Sequence, residues 1–557
     1  MERNALLAVA ISLLILVLWN ELVINRYAPE TAPGGEVATR APAVPGADDA
    51  LAAPAVPAAP DAPAVDGLAE RAAAPNALAG ADVVVDTDLF RAVFTTAGGR
   101  LKSLRLKKYN ETPDEGSPQQ ELVHVPAGVP LPLGVHLRGK EGATDDAAVL
   151  YSADRESLVV SGDAAGEVVF TGQVDGATLR KTFQVAGDRY LWSLLVDVAD
   201  PPAFVSEIAV TWDSAVGEAG GWGAGVAPTA NPYSGLLALE AGKLQSLTRE
   251  DLVGGLSFNG ATDWIGFSGQ YFFSGLVSSA GEEPSTARGW AVSAGEHVEA
   301  MLRLGGDADS ASVVLYTGPK DLDHLDASGH SLRRALDLGW FTVVALPLLQ
   351  ALRFSYRFTG NHGVDIILLT VLIKVLFYPL TKKSFQSMKA MQKVQPEMER
   401  LREAYKDKPE QMNQAVMELY RKHKVNPLGG CLPMILQLPV FIGLYNALLN
   451  AVELRHAPFV GWIQDLSAPD RLGDFQLPFV TGAGIPILTL IMGASMLVQQ
   501  KMTPTTTADP MQQRMMMLMP IVFTFMFINF PAGLTLYWLV NNLLTIGQQY
   551  LINRQPD

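Results

Sequence analysis

The chain has 557 residues, of which 48% are hydrophobic and only 18% are charged, a balance that indicates a membrane protein with several domains. Its single cysteine excludes an intramolecular disulfide framework. The formal net charge is −15, yet the segment 382–424 is basic, with eleven lysines and arginines against six acidic residues.

The N-terminal region combines an apolar run with a low-complexity segment. Residues 5–19 are apolar, the segment before them is weakly charged, and no convincing small-x-small cleavage site follows directly. These features favour an uncleaved transmembrane anchor over 1–27, with a cleaved signal peptide as the alternative. Residues 28–81 are dominated by alanine and proline, which cannot bury a core, so we expect an extended linker there.

The next segment, 82–318, carries short strand-like runs between glycine-rich turns. These runs are 83–85, 92–96, 167–173, 190–198, 298–304 and 312–316. Alternation in the fourth run places four side chains on one face of a strand: Tyr190, Trp192, Leu194 and Val196. Many short strands with such connections predict an all-β sandwich domain.

The region 319–362 joins this domain to the apolar C-terminal third. Its segment 331–358 is apolar over 338–352, where Pro347 interrupts it, and arginines flank it. That run is short for a membrane span. We therefore expect an amphipathic helix that lies at the membrane interface.

Five membrane segments are predicted within 363–557, at 363–381, 428–450, 478–498, 515–530 and 533–550. Four lysines directly after the first segment mark its end as cytoplasmic. The loop 451–477 has more acidic than basic residues and is predicted to be external. With the N-terminal anchor, the sequence predicts six spans, both termini in the cytoplasm and the β-domain outside.

A lysine, Lys374, lies near the centre of the first of these segments. A charge at that depth costs roughly 2.5–3.5 kcal/mol and usually faces a bundle interior or a water-filled cavity. Thr370 lies one helical turn earlier on the same face. A lysine that snorkels to the interface from a tilted helix is the alternative. We interpret the two residues as part of a polar functional site inside the membrane.

Two further segments add polar residues to this site. Gln437 lies in the middle of the second segment. The fifth segment has polar or amphipathic residues at helical spacing: Trp538, Asn541, Asn542, Thr545 and Gln548. Such residues often form hydrogen bonds between helices. Together with Lys374 and Thr370, they predict one polar helix face and a hydrophilic concavity.

The basic segment is predicted to form a cytoplasmic helical hairpin over 396–424, because Pro396 and Pro409 stand at plausible helix starts. A solvated charged loop is the alternative, but the helical propensity on both sides of the turn disfavours it. The basic residues that this hairpin offers to cytoplasmic partners are Arg400, Arg402, Arg421, Lys422 and Lys424.

The motifs of common enzyme classes are missing from the sequence. It has no G-x-x-x-x-G-K-[ST] phosphate loop, no H-E-x-x-H zinc pair and no G-x-S-x-G elbow. Its eight histidines are scattered without a metal-ligand spacing. We therefore expect neither an enzymatic activity nor a cofactor or metal site.

Long segments of the C-terminal third resemble the YidC/Oxa/Alb family of membrane protein insertases. They are YPLTKKSFQSMKAMQKVQPEMERLRE, VNPLGGCLPMILQLPVFIGLYNAL, VELRHAPFVGWIQDLSAPD, QKMTPTTTADPMQQRMM and MPIVFTFMFINFPAGLTLYWLVNNLLTIGQQ. The external domain is similar to the periplasmic domain of the Gram-negative type, with YTGPK at 316–320 near its end.

This resemblance implies a five-helix insertase core around a hydrophilic groove that opens to the cytoplasm and to lipid. The positive residue of the groove, usually arginine, corresponds to Lys374, which keeps the charge but lacks the planar donor set of arginine. Thr370 and Gln437 match groove positions, Trp538 matches an aromatic residue that contacts substrate, and Asn541 joins them. The external domain is implied to be a β-supersandwich related to sugar-binding folds.

The implied activity is that of an insertase and chaperone for nascent proteins of the bacterial inner membrane. It would act alone or with the Sec translocon (SecYEG and SecDF). The implied partners are nascent membrane proteins, the ribosome and the lipid bilayer, without direct nucleic-acid specificity. A solute channel or transporter with an intramembrane polar site is the alternative, although we find no internal repeat. A third possibility is an envelope-binding protein whose β-domain acts.

Overall fold

A computed structural model describes residues 79–139, 142–202, 205–217, 232–258, 260–279, 288–294, 297–304, 309–339, 341–405, 408–423, 432–476, 483–502 and 510–554. The predicted anchor 1–27 and nearly all of the linker 28–81 lie outside these residues. The residues that the structure describes form a β-rich part, which ends at Pro319, and a mainly helical part, which begins at Leu322.

The β-rich part begins with ten strands: β1 Asp82–Asp86, β2 Phe90–Thr95, β3 Arg100–Asn110, β4 Gln119–Glu121, β5 Gly134–Arg138, β6 Ala143–Asp145, β7 Ser152–Ala153, β8 Ser157–Val159, β9 Ala165–Val174 and β10 Ala177–Ala186. Ten more strands follow: β11 Leu191–Ala199, β12 Glu207–Ala215, β13 Gly235–Glu240, β14 Lys243–Leu247, β15 Leu256–Ser257, β16 Thr262–Ser268, β17 Phe272–Ser278, β18 Arg288–Ala294, β19 His297–Leu304 and β20 Ser310–Pro319.

These strands form three sheets with β-sandwich packing. Their orders are β4-β3-β2-β1-β8, β14-β13-β16-β17-β20-β11-β10-β9-β7 and β15-β18-β19-β12-β5-β6. Neighbouring strands are antiparallel, except that β1 and β8 run parallel. The prediction of an all-β sandwich domain is confirmed.

The core of the sandwich contains the strand face that the sequence predicts. Tyr190, Trp192, Leu194 and Val196 are all buried, because alternate side chains of β11 point into the same layer. The Trp192 ring meets that of Phe94 edge-on, with 6.1 Å between centroids. Such aromatic contacts add to the free energy of apolar burial.

A fully buried charge cluster lies inside the same domain. The Lys181 ammonium forms an ion pair with Asp146, and both side chains have no exposed area. Lys181 Nζ also donates to the carbonyl oxygens of Gly98 at 2.8 Å and Leu133 at 2.9 Å. The Arg100 guanidinium donates to Asp146 Oδ1 at 3.1 Å. The two cations therefore share one carboxylate, and each charged group also has hydrogen-bond partners, as burial requires.

The helical part contains eight α-helices among the residues that the structure describes. They are α1 Leu322–Ser328, α2 Thr342–Thr359, α3 His362–Ala404, α4 Pro409–Lys422, α5 Leu432–Asn450, α6 Ile487–Met502, α7 Pro510–Phe527 and α8 Ala532–Arg554. Two short strands, β21 Leu472–Gln476 and β22 Ala483–Ile485, form a hairpin before α6.

Helix α2 has one buried side and one exposed side. Ala345, Leu349 and Leu352 are buried against α3 and α5, whereas Val343 and Phe358 are exposed. The helix contains Pro347 and ends at Thr359, and Gly360, with a φ of 63°, provides the left-handed cap that follows. Its position at the membrane interface remains a prediction.

The predicted helix start at Pro396 is wrong, because α3 runs without interruption from His362 to Ala404. Met391, Val394 and Met398 lie on one face of α3 and pack against Leu419 of α4. This apolar face crosses the proline, so a break there would divide a cluster that helical continuity holds together. The first arm of the predicted hairpin is thus the end of the Lys374 helix, whereas Pro409 does begin α4.

The predicted span 478–498 is also wrong at its start. Residues 483–485 form β22, and α6 begins at Ile487 directly after Pro486. The Asp470 carboxylate caps this helix, since it accepts from the Leu488 N–H at 2.7 Å and from Thr489 Oγ1 at 3.0 Å. A cap of this kind satisfies N–H groups that have no partner within the helix, and it fixes the start of α6.

One described helix, within His362–Leu401, is long and apolar enough to cross a membrane by length and composition. Ile487–Met502 and Met517–Phe527 are shorter apolar helices. The number of six spans remains a prediction.

The loop 451–471 contacts both the β-sandwich and the helical part. Arg455 donates to the carbonyl of Asn110 at 2.6 Å and to Gln120 Oε1 at 2.8 Å, so it ties this loop to β3 and β4. The Ala532 N–H donates to the carbonyl of Ala468 at 2.7 Å at the start of α8. The loop is thus bonded both to the β-sandwich and to the start of α8.

Candidate substrate groove

The polar residues of the helical part meet where α8 packs against α3 and α5. Lys374 lies on α3, Gln437 on α5, and Asn541 and Thr545 on α8. The last two are one helical turn apart, so they lie on the same face of α8.

Lys374 is half-buried and binds a neutral partner. Its Nζ donates to Thr545 Oγ1 at 2.8 Å. The Thr545 hydroxyl in turn donates to the carbonyl of Asn541, four residues earlier on α8, at 2.6 Å. No carboxylate among the described residues forms an ion pair with Lys374, so the structure leaves its charge without a counter-ion there.

A second group of hydrogen bonds extends along α8 from the same point. Gln437 Nε2 donates to Asn541 Oδ1 at 2.8 Å and to the Tyr537 hydroxyl at 3.1 Å. Tyr537, Asn541 and Thr545 therefore form a polar row at intervals of four residues. Tyr537 was not predicted from the sequence, although its distance of four residues from Asn541 was a usable signal.

Thr370 is buried and does not hydrogen-bond to Lys374. Its Oγ1 donates to the carbonyl of Ile366 at 2.6 Å, within α3 itself. A threonine inside a helix commonly satisfies its hydroxyl in this way. Its predicted role in the groove remains a prediction.

Trp538 lies among aromatic rings rather than with the polar row. Its ring meets Phe441 of α5 edge-on at 4.7 Å and lies 5.2 Å from Phe527 of α7. No acceptor among the described residues reaches its Nε1. Trp538 thus joins the apolar sides of α5 and α7, and its contact with substrate remains a prediction.

The polar residues of α8 divide between two neighbours instead of forming one face. Asn542 Nδ2 donates to Ser495 Oγ of α6 at 3.1 Å, and Gln549 Nε2 donates to the carbonyl of Met502 at 2.5 Å. These bonds join α8 to α6, whereas Asn541 and Thr545 face α5 and α3. Asn542 therefore belongs to a structural contact between helices.

The other face of α3 is apolar and exposed next to Lys374. Val375 is 67% exposed and Leu376 is 70% exposed. A surface of this kind is suited to contact with lipid. Lys374 and the apolar surface therefore lie on different sides of α3.

The basic residues of the hairpin lie on its surface where the structure describes them. Arg400, Arg421 and Lys422 are exposed. Arg421 and Lys422 are in the last turn of α4, where positive side chains interact favourably with the helix dipole. The side chain of Arg402 and all of Lys424 lie outside the described residues.

Comparison with known protein families identifies both parts of the chain. Residues 82–351 match the family described as the YidC periplasmic domain, and residues 354–557 match the family described as 60Kd inner membrane protein. A protein of Pelobacter propionicus named membrane protein insertase YidC is 41% identical over 573 aligned residues, which cover 100% of this chain and 99% of that protein. The chain belongs to the YidC family of membrane protein insertases.

Other YidC relatives agree with this assignment. The membrane protein insertase YidC of Oleidesulfovibrio alaskensis is 38% identical, with 100% of this chain and 99% of that protein covered. That of Geobacter sulfurreducens is 42% identical, with 84% of this chain and 85% of that protein covered. The crystal structure of YidC from Thermotoga maritima is 14% identical with a TM-score of 0.31, covering 84% of this chain and 99% of that one; this likeness adds nothing to the assignment.

Membership of the YidC family decides between the functions that the sequence leaves open. The protein is a membrane protein insertase with a periplasmic β-sandwich domain, and its substrates are nascent membrane proteins. The alternative of a solute channel or transporter has no support among these relatives.

Proposed function

We propose that this insertase takes the polar tail of a nascent membrane protein into a groove lined by α3, α5 and α8. Lys374 carries this proposal, because it is a half-buried ammonium in a long apolar helix whose partner among the described residues is a hydroxyl. A buried charge without a counter-ion is costly, and it is retained where it serves a function.

The groove lowers the free energy of moving the tail across the membrane. Polar side chains part-way across replace some of the hydration that a peptide loses in hydrocarbon. An acidic tail is also attracted to the Lys374 charge, because Coulomb interactions strengthen where water is scarce. This step requires no covalent chemistry, so we propose that the protein acts without an enzymatic reaction.

The apolar segment of the substrate leaves in another direction. It passes between α5 and α7 into lipid, along the aromatic side chains that surround Trp538. Transfer of apolar surface out of water contributes about 25 cal/mol per Å² and drives release.

We propose that the protein lies in the bacterial inner membrane with six spans and cytoplasmic termini. The domain 82–318 then lies in the periplasm, the region 319–362 at the interface, and the core 363–557 in the membrane. The exposed basic residues of the hairpin face the cytoplasm, where they meet the ribosome. The Sec translocon is the second partner, for substrates that the groove does not insert alone.

The groove is tested by changing the charge of Lys374. Lys374→Ala should lower the insertion of a substrate with an acidic translocated tail by about tenfold, the size of one lost charged interaction. Lys374→Arg keeps the charge and should be tolerated. Protease protection of the tail, in cells depleted of the wild-type protein, measures both. Normal insertion by the alanine variant would remove the charged groove from the mechanism.

The ribosome contact is tested on the hairpin. Neutralising Arg400, Arg402, Arg421, Lys422 and Lys424 together should weaken cosedimentation with ribosomes, most clearly at low salt, where charges are least screened. The control neutralises an equal number of exposed basic residues elsewhere: Lys102, Arg105, Arg155, Arg189 and Arg333. Equal ribosome binding by both variants would contradict a docking role for the hairpin.

A further inference from the structure

The Thr545 hydroxyl is oriented by its own helix. A threonine hydroxyl has one hydrogen to donate and two lone pairs to accept with. In this structure the hydrogen is directed at the carbonyl of Asn541 at 2.6 Å. The lone pairs remain for the Lys374 ammonium at 2.8 Å. Thr545 therefore presents a fixed acceptor to a cation on another helix.

We propose that Thr545 is a positioning residue, which holds the Lys374 ammonium in the groove where it meets the carboxylate of an acidic substrate tail. The inference rests on the proposed function of Lys374 and adds a second residue to it. The two residues are 171 positions apart in the sequence, so only the packing of α8 against α3 brings them together.

Lysine needs such a partner at this depth. Its ammonium is a point charge on a flexible four-carbon stem. Without an acceptor, that stem extends towards the interface, where water solvates the charge. On the neighbouring face of α3, the exposed Val375 and Leu376 offer no polar atom. The bond to Thr545 keeps the charge on the polar side of the helix.

A neutral acceptor holds the lysine without cancelling its charge. The ammonium has three N–H donors, and the bond to Thr545 uses one of them. Among the described residues the other two have no hydrogen-bond partner, so they remain for a substrate carboxylate or for water. A carboxylate at position 545 would hold the same ammonium but would remove the attraction for an acidic tail.

The acceptor is itself held in place from the opposite side. Gln437 of α5 binds the Asn541 side chain at 2.8 Å, one turn before Thr545 on α8. Asn541 also provides the carbonyl that takes the Thr545 hydrogen. The turn 541–545 is thus fixed by α5 through one residue, and it fixes Lys374 of α3 through another.

The test compares variants of the complete chain in cells depleted of the wild-type protein. Thr545→Val keeps the shape and removes the hydroxyl, whereas Thr545→Ser keeps a hydroxyl. The matched control is Thr535→Val, because Thr535 is buried on the same helix and donates to the carbonyl of Pro531, four residues earlier. Each variant is given two substrates that differ only in their translocated tail, with aspartates in one and asparagines in the other.

We expect Thr545→Val to lower the ratio of acidic-tail to neutral-tail insertion by about tenfold, as expected for one hydrogen bond to a charged group. Thr545→Ser and Thr535→Val should keep the wild-type ratio. If Thr545 had only a structural role, its loss would lower the insertion of both substrates to the same degree and leave the ratio unchanged. An unchanged ratio therefore overturns the proposal, whether total insertion falls or not.

Lys374→Ala, run in parallel, separates this inference from the proposed function. If Lys374→Ala lowers the ratio of acidic-tail to neutral-tail insertion and Thr545→Val leaves it unchanged, only the positioning role is wrong. If Lys374→Ala also keeps the ratio, the charged groove itself is wrong. If Thr545→Val does not accumulate in the membrane, Thr545→Ala takes its place. Loss of both proteins would make Thr545 a structural residue and overturn the proposal.

A second measurement does not depend on insertion. In purified protein in nanodiscs, a water-soluble amine reagent labels lysines at rates that follow their access to water. Thr545→Val should change the labelling rate of Lys374, relative to exposed Lys102, by several-fold because the ammonium loses its acceptor. Thr545→Ser should not. An unchanged Lys374 rate in Thr545→Val would show that Thr545 does not position the ammonium.

Discussion

Two lysines of this protein show how the same charge serves different ends in its two regions. Lys181, in the β-sandwich, has no exposed side-chain area, forms an ion pair with Asp146 and donates to backbone carbonyls. Lys374, in the helical part, is half-buried and donates to the neutral Thr545 hydroxyl. The first charge is buried and paired with a carboxylate inside the protein, whereas the second remains open to an incoming partner.

The partner of a lysine, rather than its burial alone, therefore indicates its role. A fully buried ion pair is expensive to break and out of reach of a partner, so we assign Lys181 to structure. A lysine with a hydroxyl for a partner retains its attraction for carboxylates. The changes below break or sharpen this contrast.

The largest effect on stability is expected from Asp146→Ala. It leaves the buried Lys181 and Arg100 cations without a counter-ion, which should lower the free energy of unfolding by about 3–5 kcal/mol. Denaturant unfolding of the full-length protein, followed by the fluorescence of buried tryptophans such as Trp192 and Trp264, measures this change.

The matched control for that change is Asp82→Ala, which breaks an exposed lysine–aspartate pair with Lys102. Exposed pairs contribute less than about 1 kcal/mol. Similar destabilisation by both variants would mean that burial does not set the value of the Asp146 pairs.

A carboxylate beside Lys374 should pair its charge, as Asp146 pairs that of Lys181. Thr545→Asp gives Lys374 a counter-ion, so the insertion of acidic tails should fall by about tenfold although the lysine is still present. Thr545→Asn, which is neutral and of similar size, is the control. Protease protection of the tail is the measurement, and equal insertion by the two variants would contradict the contrast.

The sequence predicted Lys374 but could not predict its partner. A lysine in the middle of an apolar run is visible because the run has helical length and the charge is out of place. Thr545 was recognised only as part of a polar set, since the distance along the chain says nothing about which helix faces which. The set itself divides, because Asn541 and Asn542 point to different neighbours.

In the β-sandwich too, local patterns were predictable from the sequence and long-range contacts were not. Alternation correctly predicted the buried face that contains Trp192, since strand periodicity is local. The pairing of Lys181 with Asp146 depends on contacts between distant strands and loops, which periodicity does not encode. At Pro396, a local helix-start signal was overridden by packing of α3 against α4.

A third lysine, Lys320, tests whether the hydrogen-bond partner of a lysine or its location in the protein decides the cost of its charge. It lies in the segment that follows β20, it is only 6% exposed, and its Nζ donates to the neutral Ser268 hydroxyl at 3.2 Å. Burial lowers the pKa of Lys320 from 10.5 to about 8, and the negative charge of Asp337 only partly opposes this shift. Lys320 is thus a lysine outside the membrane segments with a neutral partner.

This lowered pKa predicts that stability depends on pH in a definite direction. Below pH 8, the folded and unfolded states both hold the proton, and the lysine adds no pH dependence. Between about pH 8 and 10.5, the unfolded state binds more protons, so the free energy of unfolding should rise with pH, by about 3 kcal/mol. The wild-type protein should show this rise relative to Lys320→Met, in denaturant unfolding at pH 7.5, 9 and 10. Lys102→Met, which removes an exposed lysine, should follow the wild type.

If the stability of Lys320→Met instead changes with pH in parallel with that of the wild type, then the Ser268 hydroxyl and its surroundings hold the charge of Lys320 without cost. A neutral hydroxyl would then be no sign that a lysine is left available, and the contrast between Lys181 and Lys374 would have to rest on the membrane alone.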